Sequence, residues 1–113
     1  MRVPKTITIG THTYRITFDP YLILDKGKRG NINHRTQWIT IDPSLSGSVK
    51  NTTLVHEVLH IIQEVYSVSL GEGDTDRIAE GIAEMLAGFG ITFDWSDIEH
   101  LKGFRLNSRP FTR

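Results

Sequence analysis

The sequence predicts an α+β domain, in which an N-terminal antiparallel sheet of three to four strands packs on a central helix and a second helix. Three observations predict it. Apolar residues alternate with polar ones, in short runs, up to Asp42. From about Val49 they recur instead at intervals of three and four. The order is strands first and helices afterwards, which segregates the two types rather than interleaving them. A chain of 113 residues suits one domain, 1–113, with a real but modest core.

Thr6 to Ile9 alternates polar and apolar residues, as a half-buried strand does. Tyr14 to Phe18 repeats the pattern, with Tyr14, Ile16 and Phe18 on one face. Gly10 to Thr13 between them reads as a hairpin turn, and Asp19-Pro20 ends the second strand. Lys26 to Gly30, K-G-K-R-G, reads as a polar loop. Asn31 to His34 and Trp38 to Asp42 form a second predicted hairpin, rich in strand formers. Val55, Val58, Leu59, Ile62 and Val65 then share a helix face, with Leu54 and Ile61 as a second apolar flank, so this helix is predicted to be central and buried. Ser67 to Gly73 breaks it. Asp74 or Thr75 can cap a second helix running to about Gly88 or Gly90. Phe93 to Leu101 is expected to add a short third helix.

Composition narrows the function classes. Lysine plus arginine equals aspartate plus glutamate, 13 each, so the basic excess of a nucleic-acid binder is absent. The locally basic stretch from Lys102 to Arg113 reads as a solvated tail. There is no cysteine, hence no disulfide framework and no thiolate metal site. The first residues lack a signal-peptide core, and no apolar run is long enough to cross a bilayer. The expectation is a soluble cytoplasmic protein with neither nucleic acid nor membrane as partner; oligomeric state is unreadable.

The predicted buried helix carries T-L-V-H-E-V-L-H-I-I-Q, Thr53 to Gln63. Titratable groups inside an apolar segment are costly unless paired. His56 and His60 lie four apart, on one helix face, so both imidazoles can reach one metal ion. Zinc suits neutral imidazole in tetrahedral geometry. Glu57, offset around the helix, points beside such an ion, where it can act as general base towards a water. Average composition produces H-E-x-x-H by accident in roughly one per cent of chains this size, and few such accidents fall on the most apolar helix. The competing reading is a pair of core histidines bonded to the sheet or to the next helix.

Catalytic zinc takes a third protein ligand and leaves one position open. The second helix offers Asp76, Glu80 and Glu84 at successive i,i+4 positions. Glu80 is preferred, because Gly81 and Ala83 beside it permit close helix packing; Glu84 and Asp76 remain alternatives. His12, His34 and His100 read as ordinary histidines, although His34 closes a strand near the motif.

From Gly30 to Ala87 the chain resembles the zincin core of short phage-type metallopeptidases and of the ImmA/IrrE family. The resemblance rests on G-N-I-N-H-R-T-Q-W-I-T-I-D, then T-T-L-V-H-E-V-L-H-I-I-Q, then E-G-I-A-E-M-L-A. It implies a gluzincin-like fold, with His56 and His60 as zinc ligands, Glu57 as general base and Glu80, first residue of E-x-x-A, as third ligand. Glu84 stands where the ImmA/IrrE pattern has asparagine, which keeps Glu84 in play.

The expected function is therefore a zinc-dependent peptidase. Its protein or peptide substrate is expected to lie extended along Trp38 to Asp42 by main-chain pairing. Tyr66, His34 and Tyr14 are unranked candidates for an oxyanion donor. The alternative is a non-catalytic zinc-binding or protein-interaction module, for example one that binds a repressor. Against it stands Glu57, which a purely structural site does not need.

Overall fold

The computed structural model describes residues 1–101; the basic stretch from Lys102 to Arg113 lies outside the described residues. Strands β1 (Thr6–Ile9) and β2 (His12–Phe18) form an antiparallel hairpin. Its turn starts at Gly10, whose φ of 63° lies in the left-handed region. A β-carbon there would also sit 2.8 Å from Val65 Cγ1, so glycine is needed twice over.

A short helix absent from the sequence-based expectation follows, α1 (Leu22–Lys26), closed by Gly27 at φ 66°. Next come β3 (Gly30–Asn33) and β4 (Trp38–Ile41), an antiparallel pair, and then α2 (Gly47–Tyr66) and α3 (Glu72–Gly88). None of the described helices is long and apolar enough to cross a membrane.

The sheet order is β1-β2-β4-β3, and β2 pairs with β4 in parallel, from Arg15↔Trp38 to Phe18↔Ile41. The sheet is thus mixed, not antiparallel as the hairpin pattern implied. The long connection from β2 to β4, holding α1 and β3, is enough for a parallel crossover. The parallel register sets Ile16 beside Ile39 and Phe18 beside Ile41, on one face. Ile39 and Ile41 are both 0% exposed, as an interior strand requires. On that face Tyr14, Ile16, Phe18, Ile39 and Ile41 close against Leu54 and Ile61 of α2. Each fully buried aliphatic side chain contributes about 1.5–3 kcal/mol.

Phe93 to Leu101 is not the expected third helix. Val3 N–H donates to Asp94 O at 2.9 Å, and Asp94 N–H donates to Met1 O at 2.8 Å. Leu101 N–H donates to Phe18 O, also at 2.9 Å. The segment pairs with the N-terminus through Asp94 and with the end of β2 through Glu99 and Leu101. Asp94 Oδ1 accepts the Ser96 N–H at 3.0 Å, a local turn that competes with helix. Trp95 packs on Phe18 with ring centroids 5.6 Å apart, and Ile98 enters the core.

Candidate metal centre

The α2–α3 corner is built by Gln63. Its Oε1 accepts the Leu70 N–H at 3.0 Å, and its Nε2 donates to Thr75 Oγ1 at 3.1 Å. Ser67, at φ 57°, ends α2 in the left-handed conformation. Fully buried Thr75 and Ala79 then seat α3, which packs chiefly on α2. These contacts bring the first turn of α3 beside the motif histidines. Glu72 is the first residue of α3, where the helix N-terminus favours a carboxylate.

Three donors converge. His56 Nε2 and His60 Nε2 are 3.0 Å apart. Glu72 Oε2 is 3.0 Å from His56 Nε2, and Glu72 Oε1 is 3.4 Å from His60 Nε2. The other nitrogen of His56, Nδ1, lies 2.8 Å from Asp76 Oδ1. A neutral imidazole whose Nδ1–H donates to Asp76 turns a lone pair at Nε2 towards a carboxylate oxygen and a second imidazole nitrogen. Such atoms repel unless a cation or proton lies between them. Ligands held at about 2.0–2.1 Å around tetrahedral zinc are about 3.3 Å from one another, close to the separations found here. The donor set therefore fits a divalent ion such as zinc.

Of the sequence-based site residues, His56, Glu57 and His60 line one cleft. Among the described residues the metal-competent group is His56, His60 and Glu72. Glu80, the expected third ligand, lines the same cleft with Glu84, farther along the stripe that starts at Glu72, and is outside that group. Asp76 lies behind His56 rather than in front of it, 2.8 Å from Nδ1, where it would fix the tautomer that leaves Nε2 free to ligate. Glu72 escaped the sequence reading because G-E-G reads as a loop; its signal was that the i,i+4 stripe Asp76-Glu80-Glu84 extends back by one turn.

Glu57 is only 6% exposed and has no hydrogen bond to protein among the described residues. Burial pushes its carboxyl up to about 7, a rise opposed by His56 and Lys28 and reinforced by Glu72. A cation among the neighbouring donors would draw it back down. Space for Glu57 is made by Gly30, the first residue of β3. A β-carbon on Gly30 would sit 2.8 Å from Glu57 Oε2 and 2.6 Å from Thr53 Cγ2. Burial, and next His56, lower the basicity of His60, which favours the neutral, ligating form.

These groups face a cleft of about 980 Å³, floored by α2 and walled by β3 on one side and by α3 on the other. Strand β3 is the sheet edge on the cleft side, whereas β4 is paired along both edges, so Trp38 to Asp42 has no free edge to offer a peptide. His34 lines the cleft. His12 instead meets Gln37, and His100 packs on Phe18. No family model, curated protein or solved structure matches this chain.

Proposed function

We propose that the protein is a zinc-dependent peptidase. The observation that carries this reading is Glu57, a carboxylate nine-tenths buried and without a hydrogen-bond partner among the described residues, set against three convergent metal donors. Nothing in the packing of α2 calls for a carboxylate there, whereas a general base beside a metal-activated water does. The likeness of the motif and its flanks to zincin cores supports the same reading. His56, His60 and Glu72 hold the ion, and Asp76 orients His56. Zinc at this place supplies Lewis acidity and a water acidified to near neutrality. Glu57 accepts the proton of the attacking water and passes it to the leaving amine. The substrate is a peptide in extended form, added to the free edge of β3 across the cleft from α3.

One observation favours the alternative of a non-catalytic metal module: the carboxylates of α3 tie it to the histidines of α2, as a structural clasp would. Glu57→Gln separates the two. The variant is expected to fold and to keep its zinc, while cleavage of a mixed-sequence peptide library, followed by mass spectrometry, falls to background. A wild-type protein that binds zinc yet leaves the library intact, or a variant that cleaves as well as wild type, overturns the peptidase reading.

A further inference from the structure

Tyr14 is buried in the core, 2% exposed, and its hydroxyl lies 2.8 Å from His34 Nδ1. The two rings meet edge to face, 5.9 Å apart at 85°. Burial, aided by the charge of Glu64, holds the phenol above its ordinary value, so it stays protonated through the neutral range. A phenol is a better donor than acceptor, and this one has no other acceptor among the described residues. Its proton therefore goes to His34 Nδ1. That bond leaves the single N–H of a neutral imidazole on Nε2.

The backbone at His34 is held as firmly as the ring. His34 opens the loop between β3 and β4, where Asn33 Oδ1 accepts the N–H groups of Arg35 at 3.0 Å and Thr36 at 3.1 Å. Gln37 N–H donates to Asn33 O at 2.8 Å and closes the loop. His34 lines the same cleft as His60 but stands outside the group of metal donors. The ring is held by Tyr14 at the end of the edge strand, and the metal donor set does not use it.

We propose that His34 is a catalytic residue whose Nε2–H donates to the oxyanion formed when a peptide carbonyl is attacked in this cleft, and that Tyr14 is the positioning residue that fixes that tautomer. The proposal rests on the peptidase reading and names the group that reading lacks. Tyr66 is 61% exposed and does not line the cleft, and the hydroxyl of Tyr14 is committed to His34. A preorganised donor of this kind typically accounts for about 10²–10³-fold in kcat.

Two measurements test it without a known substrate. The first is imidazole nitrogen NMR of zinc-loaded protein. The wild type is expected to show His34 protonated at Nε2 and bare at Nδ1, and Tyr14→Phe to show a mixture of tautomers. A wild-type Nδ1–H tautomer, or a wild-type mixture like that of Tyr14→Phe, overturns the proposal. The second is titration with phenylphosphonate, a tetrahedral anion that mimics the oxyanion. His34→Ala is expected to bind it about tenfold more weakly, with zinc content unchanged. Tyr14→Phe is expected to weaken it less, and the double variant no further than His34→Ala alone. Equal affinity in wild type and His34→Ala, or no phosphonate binding to the wild type, overturns the donor role. Failure of the peptidase reading shows separately, as an intact peptide library with the His34 tautomer still fixed.

Discussion

Replacing Gly30 by alanine tests the fit between the sheet and α2. Gly30 does not have a positive φ, so its backbone alone accepts alanine. By chain entropy the change would stabilise the fold by about 0.4–1 kcal/mol. The added methyl, however, would stand 2.6 Å from Thr53 Cγ2 and 2.8 Å from Glu57 Oε2. Thr53 has little freedom to give way, because its hydroxyl donates to Val49 O at 2.7 Å within the helix. Either α2 moves away from β3 or Glu57 swings out. Overpacking of this kind typically costs about 1–3 kcal/mol, so the net expectation is a loss of about 1–2 kcal/mol. At roughly 4–8 °C per kcal/mol for a domain of this size, Tm should fall by about 5–15 °C, read by circular dichroism on metal-free protein. Thr53→Ser deletes the offending methyl and keeps the hydroxyl bond. In the Gly30→Ala background it should therefore restore part of the loss, a non-additivity of about 1 kcal/mol. If Gly30→Ala is as stable as wild type, or if the two changes simply add, the close approach of β3 to α2 is refuted.

Further outcomes are expected. Elemental analysis is expected to give about one zinc per wild-type chain, lost in Glu72→Ala and kept in Glu80→Ala; the reverse result returns the third ligand to Glu80. Asp76→Ala should lower zinc affinity by about 10–100-fold without abolishing binding, measured by competition with a chelator. Asp42 is 1% exposed and accepts bonds from Ile23 N–H at 3.0 Å, Ser44 N–H at 2.9 Å and Ser44 Oγ–H at 2.7 Å. Burial pushes its carboxyl up, but these donors outweigh burial and hold it below the ordinary 3.8. Because the folded value is depressed, the stabilisation is present above about pH 4 and is lost as pH falls through the folded value. Asp42→Ala should accordingly cost about 2–3 kcal/mol at pH 7, and the difference in Tm between it and wild type should narrow below pH 4. A gap independent of pH would contradict the charged state of Asp42.

The alternation at Tyr14, Ile16 and Phe18, and at Ile39 and Ile41, was enough to assign strands and their buried face. It could not give strand order, since a period of two says which side a residue faces and nothing about which strand lies beside it. The parallel pairing of β2 with β4 was therefore out of reach, and with it the fact that β3 holds the free edge. The five residues of α1 carry too little periodicity to stand out; only Gly27 betrayed a helix end. The spacing of His56, Glu57 and His60 made half of the centre legible, because an i,i+4 pair needs only its own helix to converge. The other half came from tertiary packing. Gln63 bridges Leu70 and Thr75, and that corner brings Glu72 rather than Glu80 to the histidines. Trp95 and Ile98 misled, because their apolar character answers to the core and not to a helix face.

The dependence of α3 on α2 has a dynamic consequence. A helix with one main neighbour is the element most ready to open while the rest of the fold persists. The donor atoms of the centre are divided across that very contact, His56 and His60 on one side and Glu72 on the other. An ion shared between them acts as a latch, since opening α3 then means breaking coordination as well as packing. Amide hydrogen exchange in α3 should be fast in metal-free protein and slow on metal loading, while exchange in β2 and β4 stays the same. Metal supply would thereby govern not only whether the cleft can work but how long its acidic wall stays in place.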